Sequence, residues 1–305
     1  MNMGKVISIT NQKGGVGKTT TSTTLSLNYA ERGLKVLLID IDPQANATRN
    51  LLGLDKEPKD PKVLFKKLNQ SITNLACFYK IIDKDTANDL CEDFVYSEEM
   101  ELKGIKELFA DPRRNVEECI HSTPFKNIDI IPSSPELVYV ENSINPGTLS
   151  YILRNVKPLY DVIIIDSAPA TNLTTYNIIK ASDEVLIPCK CDVFSVRGCF
   201  QTITYIMKIE EELKNDNSNC KGIDYKVFMT MVKKNMNISK VIIQILEKIL
   251  GNHFLHTTIR SQDSAVLKSN SGQGHFSLME GSKRSKVADD YIELMNELEN
   301  KGGDQ

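Results

Sequence analysis

The chain has 305 residues, 41 % of them hydrophobic, enough to bury a full core, and its alternating strand and helix patterns favour one large α/β domain over residues 1–305. A formal net charge of -3 argues against a surface that attracts nucleic acid all over, but it leaves room for a local basic patch. No apolar run approaches the roughly 20 residues of a membrane span, and Met1 to Lys5 is not followed by a stretch that reads as a signal peptide, so a cytoplasmic protein without a membrane partner is expected. The 7 cysteines form no C-x-x-C pair, which suits reduced thiols; Cys189-x-Cys191 would put two thiols on one strand face, but no second pair or His cluster completes a tetrahedral metal site.

The first apolar run, Val6 to Ile9, reads as a strand, and Leu25, Leu27 and Ala30 mark a helix that should end near Arg32, before Gly33. Between them lies Asn-Gln-Lys-Gly-Gly-Val-Gly-Lys-Thr-Thr, residues 11–20. Gly14, Gly15 and Gly17 let backbone N–H groups converge on one anion without Cβ interference, and the helix adds its positive N-terminal end. Lys18 supplies a point charge for β- and γ-phosphates, and the Thr19 hydroxyl is placed to hold Mg²⁺. The ordinary G-x-x-x-x-G-K-[ST] loop would need Gly at position 12, where this chain has Gln12; a second lysine, Lys13, opens the loop instead.

Lys35 to Asp40 is nearly all apolar and reads as a buried parallel strand. Asp40 and Asp42 follow at its C-terminal end, where open α/β sheets bind ligands, and their i, i+2 spacing points both toward one phosphate and metal site. Residues 55–127 break the pattern with Pro58 and Pro61 and are rich in acids between Asp83 and Glu118, as expected of a helical insertion at the sheet edge. Strands are predicted again at Ile128 to Pro132, Asp161 to Asp166, Glu184 to Cys189 and Tyr225 to Met231, with helices at Asp192 to Leu213 and Ser239 to Leu250. Asp166 ends an apolar strand, as in a Walker B segment, and can hold Mg²⁺ through water opposite Thr19. The implied fold is a doubly wound, mostly parallel sheet with helices on both faces.

Lys13-Gly14-Gly15-Val16-Gly17-Lys18-Thr19-Thr20 resembles the deviant Walker A loop of the ParA/MinD ATPases, and Asp40 to Thr48 resembles that family's Asp-x-Asp-Pro-Gln-Gly-Asn-Ala-Thr, with Ala45 where Gly is usual. Asp166 with Pro169 matches its Asp-x-x-Pro, and Thr258 to Arg260 through Ser285 to Ala288 resembles its C-terminal pattern. The resemblance implies ATP and Mg²⁺ as ligands. It implies that residues 13–20 and Met231 contact the nucleotide, that Lys13 reaches a partner subunit's nucleotide, that Asp42 helps position the attacking water, and that Asp40 supports the metal held by Thr19 and Asp166. A GTPase of this broad class would carry Asn/Thr-Lys-x-Asp; Lys190-Cys191-Asp192 follows Cys189 instead, which favours ATP on the resemblance.

Val287, Tyr291, Leu294, Met295 and Leu298 form an apolar stripe, but Asp289, Asp290, Glu293, Glu297 and Glu299 on the polar side would be repelled by anionic lipid, so a terminal helix packed on the core is expected. The closer resemblance is to the ParA/Soj branch. That implies a partition ATPase which dimerises around ATP, binds double-stranded DNA without sequence preference, and is stimulated by a ParB-like centromere-binding protein. Two arginines that relatives use on DNA align with Met207 and Asn235; Lys208, Lys233 and Lys234 lie beside them as candidate DNA contacts. The alternative is an ATPase switch that positions or regulates proteins without touching DNA.

Overall fold

The computed structural model describes residues 4–53, 84–90, 102–141, 144–216, 222–233, 236–261 and 285–302, with Thr73, Ala76 and Ile81. They divide into two compact units, residues 1–54 with 103–305, and residues 55–102. In the smaller unit the described helix is Lys84–Leu90 (α3). The expected insertion ran from 55 to 127, but residues 103–127 belong to the larger unit. Ile105, Leu108 and Phe109 there join its core, which explains why the acidic character of the stretch misplaces the boundary.

The larger unit runs β1 (Lys5–Ile9), α1 (Lys18–Glu31), β2 (Val36–Ile41), α2 (Asn46–Leu52), α4 (Ile105–Ala110), β3 (His121–Ser122), β4 (Ile128–Ile131), α5 (Thr148–Val156), β5 (Val162–Ser167), α6 (Leu173–Ala181), β6 (Glu184–Lys190), α7 (Val193–Asp216), β7 (Asp224–Val232), α8 (Asn237–Leu250), β8 (Phe254–Arg260) and α9 (Lys286–Gly302). One eight-stranded sheet has the order β3-β4-β2-β5-β1-β6-β7-β8. All neighbours are parallel except β3 with β4. The order turns at β1, which lies between β5 and β6, and a ligand crevice belongs at the C-terminal end of such a strand.

Both faces of the central strands are covered, which is why β2 reads as a continuous apolar run. Val36 and Leu38 pack with α1 and α9, whereas Leu37, Ile39 and Ile41 pack with α4 and α5. Helix α1 is buried although it is rich in Thr and Ser, because its hydroxyls bond back along the helix: Ser22 to Lys18 O at 3.0 Å, Thr23 to Thr19 O at 2.7 Å and Ser26 to Ser22 O at 2.8 Å. The stripe of α9 is buried against this face, with Val287, Tyr291, Leu294, Met295 and Leu298 all at most 5 % exposed. Its acidic side is engaged by protein: Asp290 pairs with Arg260, and Glu297 accepts from the backbone N–H groups of His256 and Thr257. Among the described residues no helix is long and apolar enough to cross a membrane.

Candidate functional site

The loop between β1 and α1 is pinned from the β6 and β7 side. Thr10 N donates to Leu186 O at 2.9 Å, and Asn11 Nδ2 donates to Pro188 O at 2.7 Å. Asn11 Oδ1 then accepts from Lys13 N at 2.8 Å, and Gln12 N donates to Thr202 Oγ1 of α7 at 3.3 Å. On the far side of the turn, Thr230 Oγ1 of β7 donates to Val16 O at 2.9 Å. Gly15 and Gly17 take φ of 70° and 90°, a left-handed backbone that costs most side chains energy. A side chain at Gly198 of α7 would land 2.9 Å from Asn11 Oδ1, so that glycine lets the helix press on the loop.

Gly17 caps α1 without any side-chain hydrogen bond, and no acid stands in the helix's first turn. The free N–H groups of Lys18, Thr19 and Thr20 therefore face the loop with the positive end of the helix dipole behind them. Lys18 is only 7 % exposed, and its Nζ donates to Lys13 O at 3.4 Å. Burial lowers its pKa, while the nearby Asp166 and Asp42 carboxylates work to keep it charged. Lys13 and Gly14 are exposed at the loop entrance. Met231 has a φ of 53°, and its Cε stands 3.7 Å from a Cβ built on Gly17; a strained non-glycine backbone of this kind points to a functional constraint.

Asp166 on β5 is level with both Ile9 on β1 and Asp40 on β2. Its Oδ1 accepts from Ser22 Oγ at 2.8 Å, whereas Oδ2 is buried with no hydrogen-bond partner among the described residues. Burial pushes the carboxyl up to about 6, against the Thr19 and Ser22 hydroxyls and Lys18, which favour the charged form. An orphaned carboxylate oxygen beside a threonine hydroxyl is the donor chemistry that a hard divalent cation takes, so these residues fit Mg²⁺.

Asp40 is fully buried and organises its own loop. Oδ1 accepts from Asp42 N at 3.1 Å, and Oδ2 accepts from Thr48 N and Thr48 Oγ1, both at 2.8 Å. Burial, then the neighbouring Asp166 charge, push its pKa up to about 8. Asp42 is 8 % exposed, and its Oδ1 accepts from Gln44 N at 2.9 Å, which fixes the side chain. Ala45 has a φ of 52°, so glycine at this place would relieve left-handed strain of about 1 kcal/mol.

Sequence reasoning missed Asn11, Ser22, Thr230 and Glu141. Glu141 accepts from Asn172 Nδ2 at 3.4 Å, and burial together with the field of Asp42 raises its pKa. Of the proposed DNA contacts, Lys208 is exposed on α7 and lines a groove of about 610 Å³ with Gln12, Arg197, Phe200 and Tyr205. Lys233 is exposed at the end of β7, whereas Lys234 and Asn235 lie outside the described residues.

A parallel sheet whose first strand ends in an uncapped glycine-rich turn, with a buried lysine and strand-end carboxylates around it, places the molecule among the P-loop ATPases. The AAA domain family model matches residues 4–220. The sporulation initiation inhibitor protein Soj of Bacillus subtilis is 30% identical over 301 residues, 97% of this chain and 98% of that protein. The chain belongs to the ParA/Soj family of partition ATPases. Among solved structures, a Borrelia burgdorferi plasmid partition protein bound to AMPPNP matches with a TM-score of 0.64 and 21% identity, covering 98% of this chain and 99% of that one. Cobyrinic acid a,c-diamide synthase of Mycobacterium smegmatis, with a bound ATP analogue and magnesium, matches with a TM-score of 0.66 and 18% identity, covering 99% and 96%. These two likenesses concern the fold.

Proposed function

We propose that this protein is a Mg²⁺-dependent partition ATPase of the cytoplasm. Two subunits close around ATP, the closed dimer binds DNA without sequence preference at the nucleoid, and a ParB-like centromere-binding protein stimulates hydrolysis to ADP and phosphate. The observation that carries the reading is the open N-terminus of α1 facing Lys18, with Asp166 Oδ2 orphaned beside Thr19.

The loop N–H groups of residues 14–20 hold the phosphates, Lys18 neutralises them from within, and Met231 packs on the glycine turn. Thr19 and Asp166 hold the magnesium ion, which supplies charge neutralisation on the phosphate oxygens. Asp40 supports that site from behind by fixing Asp42 and Thr48. Asp42 orients the water, its carboxylate held in place by the bond that Oδ1 accepts from Gln44 N. The exposed Lys13 serves the partner's nucleotide rather than its own.

Lys208, Lys233 and Lys234 are the DNA contacts in this reading. A second reading, an ATP switch that positions proteins without DNA, is favoured by one observation: Met207, where relatives use an arginine on DNA, is 54% exposed and apolar. Sedimentation with ATP, ADP and no nucleotide tests the shared core of both. A dimer is expected with ATP alone, and a monomer under all three conditions would refute both.

A further inference from the structure

Lys190 ends β6 as the first residue of Lys190-Cys191-Asp192, a segment the roles above leave unused. Its last residue has a structural job: Asp192 Oδ1 accepts from Ser195 N at 2.9 Å and Oδ2 from Ser195 Oγ at 2.7 Å, closing the start of α7. Cys189, just before it, is a buried free thiol in the apolar layer under α7. Neither is presented to a ligand.

Lys190 differs. It is half-buried and donates no hydrogen bond to any described residue; the nearby Asp192 carboxylate, whose charge it favours, is itself held by Ser195. Its Nζ lies 3.9 Å from the position a Cβ on Gly15 would take. Register explains the placement: Lys190 pairs with Thr230 of β7, the residue that holds Val16 O, and Met231 follows against Gly17. The ends of β6 and β7 thus flank Gly15 and Gly17 of the phosphate turn, one with an ammonium and the other with a thioether.

Two ammoniums on one turn, those of Lys190 and the buried Lys18, repel each other unless an anion lies between them. The turn already presents open N–H groups that attract one. From this juxtaposition we infer that Lys190 is a third lysine contact to the polyphosphate of the bound nucleotide, acting on its own subunit's ligand beside Gly15. The inference rests on the nucleotide-binding reading and adds a residue that the Walker A pattern does not contain. An ammonium reads charge, so its contribution extends to ADP as well as ATP.

The test is titration of fluorescently labelled ATP and ADP, with Mg²⁺, against the parent, Lys190→Gln and Lys190→Arg at low and physiological salt. Each protein is also melted without nucleotide. Lys190→Gln should lose about tenfold in affinity for both nucleotides at low salt, the effect of removing one charge-assisted contact, and its affinity should depend less on salt. Lys190→Arg should restore most of the loss, and the melting temperatures of the nucleotide-free proteins should agree. Parental affinity in Lys190→Gln would overturn the inference, as would a loss of affinity matched by a lower melting temperature and not restored by arginine. A parent that binds neither nucleotide would instead overturn the nucleotide reading itself, a result distinct from either.

Discussion

At the C-terminal ends of β1, β2 and β7, Asn11, Asp40 and Thr230 each make hydrogen bonds that lock a particular stretch of backbone. On the outer faces of α7 and α8, by contrast, Met207, Ile238, Val241, Ile245 and Ile249 are all at least 50% exposed, and Lys208 on α7 and Lys233 just past β7 stand in solvent. The first region is preorganised for one ligand geometry, as phosphoryl chemistry requires. Binding a DNA backbone requires only enough cations on one face, in no fixed pattern. Substitutions in the first region should therefore separate binding from turnover sharply, and those in the second should act gradually and additively.

The largest effect is expected at Asp42. Asp42→Ala should bind ATP and Mg²⁺ yet hydrolyse ATP about 10²- to 10⁴-fold more slowly and accumulate the dimer, since it removes the water's acceptor and leaves the loop intact; parental turnover in a phosphate-release assay would take Asp42 out of the mechanism. Lys18→Ala should lose roughly 100-fold or more in nucleotide affinity by calorimetry, because the loop N–H groups alone cannot neutralise the phosphates. In Lys13→Ala, nucleotide binding by the monomer should persist in part, while ATP-dependent dimerisation weakens by about 30-fold or more, the cost of removing one partner of a buried charge contact. Undiminished dimerisation in the ultracentrifuge would assign Lys13 to its own subunit.

Joint replacement of Lys233 and Lys234 by alanine should weaken DNA binding about tenfold for every sequence alike and flatten the log–log salt slope by about 2, with dimerisation untouched. A steep loss confined to one DNA sequence would contradict the contrast between the two regions. The smallest effect is a gain: Ala45→Gly should raise the denaturant midpoint by the equivalent of at most about 0.5 kcal/mol, as relief of the left-handed strain is partly offset by the entropy of glycine. A drop in stability would mean that the strain is absent.

The phosphate loop was legible because its chemistry demands glycines and lysines at fixed spacing, and β2 and β5 because strands buried on both faces read as apolar runs ending in Asp40 and Asp166. Asn11 and Thr230 were not legible: their partners lie 177 and 214 residues away, and one polar residue at a strand end has no local signature. β8 escaped for a related reason, since His256, Thr257 and Thr258 dilute its apolar pattern at the sheet edge. Helices α5 and α6 are only 9 residues each and were passed over between stronger strand signals. Ala45 carried a hint, as a departure from the usual glycine, whose meaning appeared only with its φ of 52°.

The central claim is that ATP creates a DNA-binding dimer, and a salt titration of DNA binding by the parent protein with ATP, with ADP and without nucleotide tests it most directly. With a net charge of -3, a monomer has little long-range attraction for DNA, and a dimer doubles whatever basic patch it carries. Binding is expected with ATP only, indifferent to sequence, and largely lost between low and physiological salt. Absence of ATP-dependent binding even at low salt would contradict the claim and leave the DNA-free switch as the function.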